Sequence, residues 1–299
     1  MNLNKIIKNI DFKGMSDERH ISQIVHDSRK VKQGSLFIAI AGENSDGHDY
    51  IFDAIDKGAI AVVANGRSPA TNKVPILQVK NPRKIMSKIA ANFYNHPSND
   101  VSVIGVTGTN GKTTTTQLID YILKYNRWSS GSLGTLGFSS PAGIVSTGFT
   151  TPESIDLQQI IRTMVDGGIK YIPMEISSHA IDLHRVDDVN INIAVFTNLS
   201  RDHLDFHKNM NDYFVAKTRL FRVILNKKGI AIINTDSKYG KKLKEICDKN
   251  KITNYTYGRN KFCDWVILEV SKKKNITEVL FKKKSVILLN KYIFHGQIN

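Results

Sequence analysis

VSVIGVTGTNGKTT, residues 101–114, is the stretch that decides the fold. A β-branched run, Val101–Val106, leads into a loop with glycines at 105, 108 and 111, and Lys112, Thr113 and Thr114 follow. The next segment, Gln117–Leu123, suits a helix. Strand, glycine loop, Lys-Thr and helix together make a holder for a nucleotide triphosphate. Glycines let backbone N–H groups approach phosphate oxygens, and the helix N-terminus adds partial positive charge. The lysine reaches the terminal phosphates, and the threonine hydroxyl suits Mg²⁺. The match to G-x-x-x-x-G-K-[ST] is imperfect, because Val106 stands where the first glycine belongs. The expected phosphate contacts are Gly108, Thr109, Asn110, Gly111, Lys112, Thr113 and Thr114, with ATP or GTP as ligand.

Outward from this loop the pattern is α/β. Strand candidates at 101–106, 170–176, 192–198 and 229–233 alternate with helices near 112–125, 154–167, 210–226 and 237–250. Near-continuous apolar strands between helices imply a mainly parallel sheet covered by helices. A basic antiparallel tail of strands is expected from about 253. Before the loop, Ser35–Ile40, Ile60–Ala64 and Ile76–Val79 read as short strands, with helices near 48–58 and 83–94. His96-Pro97-Ser98-Asn99-Asp100 reads as a linker. The expectation is a small α/β domain over 1–97 and a larger phosphate-loop domain over 98–299.

A chain of 299 residues, 41% hydrophobic and 23% charged, has the composition of a globular protein with about two domains. It has no apolar run near the ~20 residues of a membrane span, and MNLNKIIKNI lacks the features of a signal peptide. Cys247 and Cys263 have no metal-ligand spacing, so the chain reads as cytoplasmic without a disulfide framework. Of the net charge of +15, residues 227–299 carry +11, from 17 Lys/Arg against 6 Asp/Glu. The Lys272–Lys274 and Lys282–Lys284 runs fall between apolar segments and read as solvated turns and faces rather than a nucleic-acid footprint. A phosphorylated substrate is the better match to this charge.

Four more segments place polar chemistry near strand ends, where open α/β sheets bind ligands. Thr150 and Thr151, in TGFTTPE, are candidates for substrate contact or for a plain helix N-cap. Glu175, in MEISSH, fits a Mg²⁺ contact or a satisfied structural carboxylate. Asp202, His203 and Asp205 follow the next strand and could bind metal or cap turns. Lys217 lies among apolar neighbours on a helix, although a solvent-facing lysine is the commoner case.

The order of GTNGKTT, STGFTTPES, MEISSHA with HRV, FTNLSRDHLDFH and YFVAKTRLF resembles the Mur ligase family, most of all its MurE-type branch. Asp27-Ser28-Arg29, GSLFIA at 34–39 and DGHDYI at 46–51 resemble that family's sugar-nucleotide domain. The resemblance implies a monomeric ATP-dependent amide ligase. It would join a diamino acid, with meso-diaminopimelate preferred over L-lysine, to UDP-N-acetylmuramoyl-L-alanyl-D-glutamate through an acyl phosphate. It further implies catalytic roles for Lys112, Glu175, His203 and Lys217, the last as N6-carboxylysine, and Mg²⁺ held by Thr113, Glu175, His203 and Lys217. Ser28 would contact uridine, and Thr150, Thr151, Ser177 and Arg185 the sugar-peptide. Such ligases carry a third domain, and HGQIN at 295–299 resembles the end of the second, so a third domain is expected to be missing here. A folylpolyglutamate synthase, another Mur ligase, and a non-catalytic nucleotide- or UDP-sugar-binding protein remain as alternatives.

Overall fold

In the first hundred residues, side chains alternate between two buried faces of a sheet. Leu36, Ile38, Ala61, Val63 and Leu77 bury on one side, and Phe37, Ala39, Val62 and Ala64 on the other. A sheet apolar on both faces needs cover on both. The computed structural model describes all residues except 43–44, 70, 72, 141–142, 147, 203–205, 274–275, 284–285 and 296–299. It separates into two compact units, the first being 1–100 with 152–166 and 182–189, and the second the remainder.

In the first unit, helix α1 (Leu3–Ile6) precedes strands β1 (Gln23–Val25) and β2 (Ser35–Ile38). Helix α2 (Ile51–Asp56), β3 (Ala59–Ala64), β4 (Ile76–Gln78) and α3 (Pro82–Phe93) follow. The four strands lie in sequence order and are all parallel. Asn81 caps α3 by accepting from the Lys84 N–H, and Pro82 fills the first turn, where no donor is needed. Ile155, from the later helix Ser154–Asp166, is buried in the same core as Leu36 and Ile89.

The second unit is built on an eleven-stranded sheet. It begins with β5 (Ser102–Thr107), α4 (Lys112–Tyr125), β6 (Leu133–Gly134), β7 (Gly137–Ser140) and β8 (Gly143–Val145). After α5 (Ser154–Asp166) come β9 (Tyr171–Glu175), α6 (Ser178–Asp182), β10 (Ile191–Phe196), α7 (Met210–Arg219) and β11 (Leu225–Asn234). Helix α8 (Lys238–Lys249), β12 (Asn254–Gly258), β13 (Trp265–Lys273), β14 (Ile276–Lys283) and β15 (Val286–His295) complete it. Strand order runs β15-β14-β13-β12-β11-β10-β5-β9-β6-β7-β8. Ile119 and Leu123, one turn apart on α4, pack on Ile104, Val106 and Val195.

Three details differ from the sequence reading. The helix expected to reach 226 ends at Arg219, and a wider turn over Leu220–Ile224 carries the apolar run into β11. The tail is not antiparallel from 253: β12 pairs parallel to β11, because α8 returns the chain in the same direction, and β13 pairs parallel to β12 through Tyr257–Trp265 and Gly258–Val266. Antiparallel pairing starts only between β13 and β14. Strands β6–β8 were not expected, since Gly- and Ser-rich sequence gives no apolar run. No helix among the described residues is long and apolar enough to cross a membrane.

Candidate active site

Three neighbouring parallel strands end level with one another. Val106 pairs with Glu175 of β9 and Val195 of β10, and Thr107 pairs with Phe196. The segments after β5, β9 and β10 therefore emerge side by side at the carboxyl end of the sheet.

In the loop after β5, Gly108 has φ +151° and Gly111 φ +83°, which disfavour any side chain. A Cβ at 108 would also collide with the Thr197 hydroxyl. Thr109 turns inward, its hydroxyl accepting from the Ser200 N–H at 3.0 Å and lying 3.2 Å from the Tyr213 hydroxyl. The Asn110 N–H donates to Asn198 Oδ1 at 3.0 Å, and its carbonyl accepts from Thr197 Oγ1 at 2.7 Å. These bonds fix the shape of the loop from the β10 side. Gly111 opens α4 without a side-chain cap, so the amides of the first turn, at Lys112, Thr113 and the exposed Thr114, lack intrahelical acceptors. Lys112 Nζ folds back to donate to the Gly108 and Thr109 carbonyls at 3.0 and 2.9 Å, and burial lowers its pKa below the usual lysine value. Gly105 lies inside β5 rather than in the loop. A Cβ there would sit 2.5 Å from Ile176 Cδ1, so this glycine serves packing.

Glu175 closes β9 and is 1% exposed. Its Oε2 accepts from the Thr113 hydroxyl at 2.8 Å, and its Oε1 accepts from the Thr135 N–H at 2.9 Å. Gly134 makes room for it, since a Cβ at 134 would overlap the carboxylate. The Thr151 hydroxyl donates to the Glu175 carbonyl at 3.0 Å and accepts from the Ser177 N–H at 3.2 Å. The Thr150 hydroxyl lies 3.1 Å from that of Thr135, and Ser177 Oγ accepts from the Ala180 N–H at 3.1 Å. Thr113, Glu175, Thr135, Thr150, Thr151 and Ser177 thus form one connected network.

Lys217 is 1% exposed, which overturns the solvent-facing reading. Its Nζ donates to the Gly108 carbonyl at 3.1 Å and lies 4.6 Å from the centre of the Tyr213 ring, one turn earlier on α7. Burial, reinforced by the Lys112 charge, pulls its pKa down to about 7, against a weaker opposite pull from Asp202. His203 lies outside the described residues, as does Thr147 of the STGFTTPES stretch.

The first unit holds a separate cavity of about 430 Å³ lined by His26, Ser28, Gly42, Gly47, Arg83 and Glu153 among others. Asp27 caps the short turn Ser28–Lys30 and forms two 2.9 Å bonds to Arg29, which hold its carboxyl at about 2. Burial lowers the His26 pKa. Beside Ser28, Glu153 Oε1 meets Arg185 Nη2 at 2.7 Å and Arg83 Nη1 at 3.3 Å. Ser28 and Arg185 therefore belong to this unit, apart from the Glu175 network. Sequence reasoning gave no role to Arg83, Glu153, Gly134 or Thr135. Only the TTPE run hinted at Glu153, and nothing local links Arg83 to a partner seventy residues away.

The Mur ligase middle-domain model matches residues 106–296, and the Mur ligase catalytic-domain model matches residues 20–94. The chain belongs to the Mur ligase family. This Mur ligase chain is 44% identical over 275 residues to a UDP-N-acetylmuramoyl-L-alanyl-D-glutamate–2,6-diaminopimelate ligase of Clostridioides difficile, covering 90% of this chain and 55% of the relative. It is 42% identical to the ligase of the same name from Aquifex aeolicus, covering 81% of this chain and 48% of the relative. The chain thus spans about half the length of the curated relatives it matches. A solved structure of a ligase of that name superposes with a TM-score of 0.81 at 24% identity, over 98% of this chain and 59% of the other. MurF from Acinetobacter baumannii gives 0.67 at 18%, over 98% and 60%. At these identities both support the fold alone.

Proposed function

We propose that this chain supplies the ATP-binding and UDP-sugar-binding parts of a cytoplasmic ligase. That ligase joins meso-diaminopimelate, in preference to L-lysine, to UDP-N-acetylmuramoyl-L-alanyl-D-glutamate in peptidoglycan synthesis. Residues 1–97, completed by 152–166 and 182–189, act as the UDP-sugar domain with Ser28 at the uridine, and the segment from 98 acts on ATP. The observation that carries the reading is the pairing of the Thr113 hydroxyl with Glu175 at 2.8 Å directly behind Lys112 and an uncapped helix start.

Hard oxygen donors so placed fit Mg²⁺, and the glycine loop fits a triphosphate. Mg²⁺, when bound, neutralises phosphate charge, and Thr113 and Glu175 are the described residues that would hold it. Lys217 as its CO₂-derived carbamate, and His203, both on family resemblance, would serve a second ion. The γ-phosphoryl group of ATP passes to the terminal carboxylate of the substrate, leaving ADP and an acyl phosphate. The amine of the diamino acid then attacks the acyl carbon, forms the amide, expels phosphate and loses a proton. Lys112 neutralises the phosphoryl oxygens, and Thr150, Thr151, Ser177 and Arg185 orient the sugar-peptide; positioning and charge do most of the work.

The test combines equilibrium ATP binding to the 299-residue chain with phosphate release in the presence of UDP-N-acetylmuramoyl-dipeptide and diaminopimelate. Release is measured with and without the third domain of a relative added in trans. ATP binding and turnover on completion are expected. Absence of ATP binding overturns the reading, and binding of both ligands without turnover in either arm favours the non-catalytic binder.

A further inference from the structure

We propose that Arg83 reads the anionic part of the ligand in the first-unit cavity, selecting a nucleoside diphosphate over a bare nucleoside. This rests on the reading of that cavity as the uridine-nucleotide site and adds a residue and a chemical selectivity to it. Arg83 sits in the first turn of α3, and its guanidinium is anchored on two sides. Nη2 donates to the Ala41 carbonyl at 3.2 Å, and Nη1 donates to Glu153 Oε1 at 3.3 Å. Those two bonds leave further N–H groups of the fork without a partner among the described residues, and Arg83 lines the cavity beside Ser28. A planar fork already fixed in place loses little freedom on binding and matches phosphate oxygens in pairs.

The charges around it favour an anion. Asp27 is engaged by Arg29 through two bonds, and Glu153 Oε1 by Arg185 as well as Arg83, while Glu153 Oε2 is buried without a hydrogen-bond partner among the described residues. Two guanidinium groups thus face the single Glu153 carboxylate, which leaves positive charge for an incoming phosphate, and His26, its pKa lowered by burial, stands as a neutral donor or acceptor. A cavity of about 430 Å³ also falls in the usual range for a small-molecule site.

The experiment titrates UDP and uridine separately into the full 299-residue chain by protein-observed NMR, which reads weak affinities. In Arg83→Met, UDP affinity is expected to fall about tenfold or more, the scale of a lost charge-assisted hydrogen-bond pair. Uridine affinity should stay within about twofold of wild type, because no uridine group meets the fork. Arg83→Lys keeps the charge without the fork and should fall between the two. In wild type, added salt should weaken UDP far more than uridine, a readout that needs no variant. Equal losses for both ligands would show Arg83 to be only a strut between Ala41 and Glu153, and would overturn the proposal. So would unchanged UDP binding in Arg83→Met together with a salt-independent wild type. A wild-type chain that binds neither ligand removes the underlying site reading, and this inference with it.

Discussion

The side-chain nitrogens of Lys112 and Lys217 donate to the same acceptor, the carbonyl oxygen of Gly108, at 3.0 and 3.1 Å. They stand no more than about 6 Å apart, where two unit charges repel by about 3 kcal/mol at an effective dielectric of about 20. The shared carbonyl cannot offset both ammonium groups, and only the half-buried Lys112 has a second carbonyl, that of Thr109. Lys217, the more deeply buried, is the one whose pKa falls to about 7, so a large share of it is neutral near pH 7.

That neutrality has two measurable consequences. In the unfolded chain Lys217 holds its proton up to about 10.5, so between pH 7 and 10.5 the unfolded state binds more protons than the folded one. The Lys217 contribution to stability therefore rises with pH across that window and is flat below it. Denaturant melts of wild type and Lys217→Met from pH 6 to 10 should converge at the high end. A parallel pair of curves would rule out the depressed pKa.

A neutral amine can also add to CO₂, losing one proton to give a carbamate with hard oxygen ligands. Lys217→Ala in the completed enzyme should be inactive, acetate should restore part of the turnover, and bicarbonate depletion should slow wild type. Near-normal turnover in Lys217→Ala would remove the carbamate from the mechanism.

Lys112→Ala should cut ATP-dependent turnover of the completed enzyme by about 100-fold or more. The melting temperature should change little, because the lysine bonds only to its own loop. Unchanged ATP affinity and turnover would refute the phosphate-loop assignment.

Gly134→Ala is a sharper probe of Glu175 than Glu175 substitution itself. The new methyl group must displace the carboxylate, with an overpacking cost of about 1–3 kcal/mol. A shift of about 1 Å at the Thr113–Glu175 pair should lower turnover by up to about 100-fold. A crystal structure of the variant with Glu175 unmoved, or wild-type turnover, would contradict it.

His48 bridges loop and sheet in the first unit. Its Nδ1–H donates to Asp46 Oδ1 at 2.5 Å, and its Nε2 accepts from the Asn65 N–H at 3.3 Å. His48→Ala strands a buried donor and should cost about 1–3 kcal/mol in a urea melt. His48→Gln should recover part of that loss; equal stability of all three forms would show the bridge to be idle.

The shape of the glycine loop was legible because its demands are local: two glycines at positive φ and a lysine opening a helix lie within five residues. The burial of Lys217 was legible only in part: its apolar neighbours suggested a partly desolvated helix, and Ala216 and Leu220 are buried. Val215 is exposed, however, and the groups that meet the amine are Thr107, Gly108 and Tyr213, which no helical apolar count could name. Glu175 could be placed at a strand end, yet its partner Thr135 sits on a turn without apolar periodicity. Ser28, read as a uridine contact, lines the first-unit cavity, while Arg83 was lost among ordinary surface arginines.

The discontinuous make-up of the first unit also governs how the protein is born. Ile155 belongs to a core whose other members lie within residues 3–90, and the unit takes in 182–189 as well. During synthesis the emerging N-terminal strands can pair early, but their core stays open until more than half the chain has left the ribosome. By then β5 and α4 have been translated too, so the glycine loop is made while the first unit is still unfinished. Synonymous codons that slow translation between 101 and 150 should lengthen that exposure and raise aggregation without changing a single residue.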